Sequence, residues 1–383
     1  MYQRQPEDLA GRFYSSADYH ELYKSGRLTP LQVAKALLPL ITQGKYKNAW
    51  AVTKEERVLE AAKASTERYA SGQPLSILDG VPIGAKDDLD AKGYISHFGL
   101  AYDPNVALFK PAESTIWPLA QLEASGALLV GKLAMHELGT DTCGCNPRHG
   151  TPVNWNNSSY YPGGSSSGAG SAICAGLIPI GIGTDAGGSI RIPAAFCGFY
   201  GLKPTLHRTY TMNSSICVIG PLAATVSDLT IAYRLMSAPN PDDAVQGAFA
   251  PSVPPSPGAK KTIGIYRAWF DQAVPAVLEA TRKAIDYFTE KLGYELVEID
   301  IPYVEEGQYA HGAWALTESM HHIRSSRWNP TGSLSMVNHC NKLLLSLGAH
   351  TSGVDMIKQG QLRELLSKRS YLMIDSEKTT IFF

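Results

Sequence analysis

The chain has 383 residues, with 34 Lys plus Arg against 35 Asp plus Glu, a formal charge of −1, and 44% apolar residues. That balance leaves no basic footprint for nucleic acid and no polybasic patch for a membrane, while the length allows a large core. Six cysteines are too few for a disulfide framework, the start MYQRQPEDLAGRF has no apolar signal segment, and no stretch reaches ~18 uninterrupted apolar residues. The expectation is a soluble, cytoplasmic protein that contacts neither nucleic acid nor membrane directly.

In chain order, Thr29 as N-cap, Pro30 at the first helical position and Gln32 three residues after the cap predict a helix through LTPLQVAKALLPLI, kinked near its end by Pro39. KEERVLEAAKASTERYASG reads as a second helix, and LDGVPIGAKD as a short strand entered through Gly80. STIWPLAQLEASGALLVGKL gives a helix, a glycine stop and an apolar strand of the type buried on both faces. SAICAGLIPIGIGTD repeats helix and strand, so the fold class is α/β with a largely parallel sheet covered by helices. Residues 239–261 are Pro-rich and without period, a surface loop or linker. Beyond it TIGIYRAWF and YELVEIDIP flank a helix over PAVLEATRKAIDYFTEKLG, a second αβ module at 262–383.

The chemistry concentrates between Tyr160 and Gly198, where Ser165, Ser166, Ser167, Ser171 and Ser189 lie among glycines. Gly164-Ser165-Ser166-Ser167-Gly168 fits the G-x-S-x-G elbow with Ser166 as nucleophile, but that elbow requires a strand directly before it and NWNNSSYYP precedes it. GIGTDAGG approaches a dinucleotide loop, with Gly181, Gly183 and Gly187 one residue too widely spaced. A third reading joins serines to a lysine. Serine needs a base to take its proton, and Lys86, at the end of an apolar strand, can be that base if it is neutral. Ser189 follows two glycines whose amides can approach a developing oxyanion, and a helix starting just after it places its positive end nearby.

LDGVPIGAKDDLDAKGY, GGSSSGAGSA and GIGTDAGGSIRIPAAFCGFYGLKPT resemble the amidase signature family, serine hydrolases that cleave carboxamides and include fatty acid amide hydrolase and the glutaminase subunit of the tRNA-dependent, glutamyl-tRNA amidotransferase. The resemblance implies a mixed, mostly parallel sheet with helices on both faces, one amidase domain over 1–383 with its signature core at 28–238, and an end before the last strands of relatives. It makes Ser189 the nucleophile and Ser165, 24 residues earlier, a bridging serine behind a cis peptide bond, with Lys86 as the terminal base. Ala186, Gly187, Gly188 and Ser189 would supply oxyanion-hole amides, with Ser166, Asp185 and Arg191 in support. It implies an acyl-enzyme, a small amide substrate, no cofactor and no metal, and is compatible with a homodimer. TDTCGCNPRHGTPVN looks more like the stand-alone amidases than the amidotransferase glutaminase, which stays the alternative beside an inactive, truncated homologue with a binding role.

The plainer readings are structural. Asp185 and Arg191 read as a buried pair, Ser166 and Ser167 as loop hydrogen-bonders, Cys174 and Cys197 as core, His321 and His322 as a solvated helix face, and Cys143 and Cys145 as ordinary thiols. Asp87 and Asp88 adjoin Lys86 and would favour its charged form, so they are expected to point elsewhere, or Lys86 to start as an ammonium.

Overall fold

A computed structural model of the protein describes residues 13–104, 106, 109–210, 214–249, 258, 260–325, 334–373 and 378–382. It divides into two compact units, Met1–Ala250 with Glu318–Ala349, and Pro251–Thr317 with His350–Phe383.

The first unit opens with α1 (Ser16–Lys24), α2 (Pro30–Thr42), β1 (Trp50–Val52) and α3 (Glu55–Ala70). At α2 the Thr29 side chain accepts from the Gln32 amide and Gln32 returns the bond to the Thr29 amide, so the first turn is capped as its sequence requires. Pro39 lies inside α2, which nevertheless runs on to Thr42. Then follow β2 (Pro82–Lys86), α4 (Trp117–Ala124), β3 (Leu128–Leu133), α5 (Ser167–Cys174), β4 (Ile180–Asp185), α6 (Arg191–Cys197), β5 (Tyr200–Gly201), β6 (Val218–Ala223), α7 (Val226–Met236) and α8 (Ala244–Gly247). The Pro-rich reading of 239–261 thus contains one helical turn, and its residues 250–257 and 259 lie outside the described residues.

The six-stranded sheet has the order β1-β3-β2-β4-β6-β5. Its centre, β3-β2-β4, is parallel, while β1 on β3, β6 on β4 and β5 on β6 are antiparallel. The mostly parallel expectation therefore holds at the centre and gives way outward. A parallel pair needs a long helical crossover, whereas the chain between β4 and β6 is spent on a turn, the seven-residue α6 and the short β5.

Period-two alternation sends the strands into two cores. Ile83, Ala85, Ile180, Ile182 and Ile219 pack with Leu119 and Leu122 of α4 and Ala232 and Met236 of α7. Leu128, Val130 and Leu133 join α2, α3, α5 and α6 in the other core. On that second side β4 carries glycine: a Cβ on Gly181 would stand 3.3 Å from Ala169 Cβ, and one on Gly183 only 2.7 Å from Ser166 Oγ. The glycines let the start of α5, and with it the serine loop, lie directly on the sheet.

The second unit has a three-stranded parallel sheet, β8-β7-β9, from β7 (Lys260–Ile265), β8 (Glu295–Glu298) and β9 (Lys378–Phe382). With it go α9 (Arg267–Phe270), α10 (Pro275–Asp286), residues 304–317 of α11 (Val304–Ser325) and α13 (Gly353–Met373), while α12 (His339–Ala349) belongs to the first unit. Ile263, Ile265 and Ile285 form its apolar centre with Phe270, Phe288 and Tyr294. His321 and His322 lie exposed on α11. Among the described residues no helix is long and apolar enough to cross a membrane.

Candidate active site

Lys86 ends β2, and Asp185 ends β4, so both stand at the carboxyl edge of the parallel centre, the usual place for chemistry in an open α/β sheet. Lys86 is 1% exposed. Its Nζ donates to Ser165 Oγ at 2.7 Å and to Thr184 Oγ1 at 2.5 Å, and lies 3.3 Å from Asp88 Oδ2. An ammonium carries three donors, and three partners are present. Thr184 Oγ1 in turn donates to Asp88 Oδ2 at 2.7 Å, closing a small polar ring. With Lys86 neutral, the Ser165 hydroxyl can instead donate to the amine, reversing the proton's direction along the same contact.

The Gly164–Ser165 peptide bond is cis. The Ser165 carbonyl accepts from the His136 amide at 3.0 Å, and the Ser166 amide donates to the Ser189 carbonyl at 3.3 Å, which ties the serine loop to the turn holding Ser189. Among the described residues no hydrogen bond joins Ser165 Oγ to Ser189 Oγ. Ser166 Oγ and Ser167 Oγ are buried without a hydrogen-bond partner among the described residues, so these side chains do not serve as the loop hydrogen-bonders that composition suggests.

Asp185 organises the turn after β4. Its carboxylate accepts from the amides of Gly188 (2.8 Å), Ile190 (3.1 Å) and Arg191 (3.3 Å), and from Arg191 Nε (3.0 Å) and Nη2 (2.9 Å). Burial alone would raise this carboxyl; the Arg191 hydrogen bonds and charge, with the Gly188 and Ile190 amides, hold it below the usual carboxylate range. The pair is buried at one end only, Asp185 fully and the Arg191 side chain 53% exposed. Of the four residues expected to form an oxyanion hole, Gly188 has its amide on Asp185, while the amides of Gly187 and Ser189 make no hydrogen bond among the described residues. A Cβ on Gly187 would meet nothing within 4 Å, so its surroundings are open, whereas Gly188, at φ +125°, would drive a Cβ to 2.5 Å from Ile192 Cδ1.

The two aspartates beside Lys86 part ways. Asp88 faces the lysine, as above, while Asp87 Oδ1 turns to His97 Nδ1 at 3.3 Å and to Lys132 Nζ at 3.9 Å. Lys132, from β3, is a second buried lysine that sequence reasoning passed over. Burial pushes its ammonium down, against the opposing pull of Asp87 and Asp88, and its Nζ donates to Ser96 Oγ at 3.1 Å. Its signal was the lone Lys in LLVGKL, in register with Ala85 one residue before Lys86. Thr184 was missed for the opposite reason, since a threonine before D-A-G-G-S carries no signal by itself. The Cys174 and Cys197 thiols are core, as expected, Cys174 Sγ donating to Asn154 Oδ1 at 3.8 Å and Cys197 Sγ to the Pro162 carbonyl at 3.4 Å.

Residues 36–364 match the Amidase family model. The chain is 34% identical over 321 residues to fatty acid amide hydrolase of Medicago truncatula, covering 78% of this chain and 52% of that protein. It is 36% identical over 301 residues to a glutamyl-tRNA(Gln) amidotransferase subunit of Chloroflexus aggregans (strain MD-66 / DSM 9485), covering 75% of this chain and 60% of that one. The chain thus spans between half and two thirds of the length of these curated relatives. Among solved structures it is similar to an amidase, with TM-score 0.76, 26% identity and coverage of 92% and 78% of the two chains. It also resembles a protein described with a vestigial complex and the origins of an s-triazine catabolic enzyme, with TM-score 0.80, 29% identity and coverage of 94% and 79%. With this fold, these matches and this arrangement of residues, the chain belongs to the amidase signature family.

Proposed function

We propose that the protein is a serine hydrolase that cleaves carboxamide C–N bonds through an acyl-enzyme, with Ser189 as nucleophile, Ser165 as proton bridge and Lys86 as base. The observation that carries this is the contact of a fully buried lysine with a serine, Lys86 Nζ to Ser165 Oγ at 2.7 Å, on a loop whose next residue is bonded to the backbone of Ser189. Relatives named for amide chemistry support the same reading.

In the first half-reaction Lys86 takes a proton from Ser165 as Ser165 takes one from Ser189, and Ser189 Oγ bonds to the acyl carbon. The oxyanion forms at the turn that carries the Gly187 and Ser189 amides, neither of them committed to another described residue. The proton returns along the relay to the leaving nitrogen, since an amide anion is too basic to depart. Water then attacks the acyl-enzyme with the relay again acting as base. Asp88 and Thr184 hold Lys86 and pair with its ammonium form while it carries the proton.

The test is release of ammonia or amine from a panel of aliphatic and aromatic carboxamides. The parent chain should turn over at least one of them, and Ser189→Ala none. Equal turnover by Ser189→Ala and loss in Ser166→Ala would move the nucleophile to the elbow position.

A further inference from the structure

The loop that crosses the serine segment carries three metal-binding donors that amide hydrolysis does not use. His136, Asp141 and Cys143 each offer one atom, and the imidazole nitrogen, carboxylate oxygen and sulfur all lie within 4.8 Å of one another. His136 is buried, Cys143 half-buried and Asp141 exposed, so the trio has a closed side and an open one.

The backbone holds these donors in place. The Cys143 amide donates to Asp141 Oδ1 at 2.7 Å, and the Cys145 amide donates to Cys143 Sγ at 3.3 Å. His136 Nδ1 lies 3.1 Å from the Glu137 carbonyl oxygen, which can only accept, so the neutral ring keeps its proton on Nδ1 and its lone pair on Nε2. A histidine anchored in this way through one nitrogen is the usual state of a metal ligand.

We propose that His136, Asp141 and Cys143 form a Zn²⁺ site with an open fourth position. One nitrogen, one oxygen and one sulfur suit Zn²⁺ and disfavour Mg²⁺ and Ca²⁺, which want oxygen alone. Tetrahedral zinc, with bonds of about 2.0–2.3 Å, needs donors roughly 3.3–3.8 Å apart, so side chains already within 4.8 Å of one another close on the ion by about 1 Å. On binding, the Cys143 S–H bond breaks, a Zn–S bond forms and the proton leaves to solvent, so no redox partner is required.

The site sits against the catalytic serines. The His136 amide donates to the Ser165 carbonyl, and a Cβ on Gly139, in the same loop, would stand 3.4 Å from Ser165 Oγ. His136 also lies within electrostatic range of Lys86. Entry of Zn²⁺ with loss of the thiol proton adds a net charge of +1 there, which opposes the ammonium that Lys86 becomes during acylation, so bound Zn²⁺ slows hydrolysis, a consequence that rests on the proposed function.

The experiment uses the full chain, stripped with a chelator and titrated with Zn²⁺ against a chromogenic indicator and with Co²⁺ by absorption. Stoichiometric Zn²⁺ binding is expected, weakened at least about tenfold in Cys143→Ala and Asp141→Asn and unchanged in Cys340→Ala, an exposed thiol elsewhere. Co²⁺ should give a thiolate-to-metal charge-transfer band in the parent chain and none in Cys143→Ala. Absence of that band in the parent overturns the site without any variant, as does equal Zn²⁺ affinity in the parent and Cys143→Ala. These readouts need no turnover, so a chain that binds Zn²⁺ but cleaves no amide even when stripped of metal would refute the proposed function and leave the site standing.

Discussion

At the scale of single residues, two buried lysines each approach a different one of two neighbouring aspartates, Lys86 at 3.3 Å from Asp88 and Lys132 at 3.9 Å from Asp87, and they touch different serines. Lys86 contacts Ser165, whereas Lys132 contacts Ser96 and approaches Asp87. Lys86→Ala should therefore lower amide turnover by about 10²–10⁴, the range of a lost general base. Its effect on a matched activated ester should be at least about tenfold smaller, because an alkoxide or phenolate leaves with little protonation. Lys132→Met keeps volume and removes the amine, and should leave kcat within about threefold while changing stability. Steady-state kinetics on an ester and amide pair with the same acyl group checks both; equal losses on the two substrates in Lys86→Ala would make that lysine structural.

At the scale of elements, the turn from β4 to α6 is held by one carboxylate. Asp185→Asn turns an acceptor of charged and amide hydrogen bonds into a group with a competing donor, and should destabilise the fold by about 2–4 kcal/mol at pH 7. The native carboxyl lies below its unfolded value of roughly 3.9, so its contribution is complete above that pH and is lost as the pH falls through the lower, folded value. Denaturant unfolding of parent and variant should show a gap that is constant from pH 7 to about 5 and closes on further acidification. The glycines differ in the same testable way. Gly183→Ala would force a Cβ to 2.7 Å from Ser166 Oγ and 2.8 Å from Leu222 Cδ1, an overpacking of about 1–3 kcal/mol in the melt. Gly187→Ala meets open space, so stability should stay within about 0.5 kcal/mol while kcat/KM falls, because the new methyl occupies the open side of the turn where the acyl oxygen is proposed to lie.

At the scale of the whole molecule, what the sequence revealed was local and what it hid was distant. The α2 cap, the strand ending in Lys86 and the helix after Ser189 were legible because each is signalled within a few residues of itself. The antiparallel outer strands were not, because strand direction is decided by how the intervening chain is used and not by the strand's own apolar run. The same limit hid what braces the site: buried Glu137 accepts from the Asn338 amide at 2.7 Å and from Asn341 Nδ2 at 3.1 Å across some two hundred residues, anchoring α12 to the loop beside Ser165. Asp88 and Thr184 fall between these cases: Asp88 was named beside Lys86 with its direction open, Thr184 next to Asp185 was not named, and only the fold shows that both face the lysine. The central claim is that one serine, Ser189, forms the covalent bond. The most direct measurement is mass spectrometry of the purified chain after reaction with a fluorophosphonate. A single adduct is expected on the peptide containing Ser189, absent in Ser189→Ala and slowed in Lys86→Ala; an adduct on Ser165 or Ser166, or undiminished labelling of Ser189→Ala, would contradict this assignment.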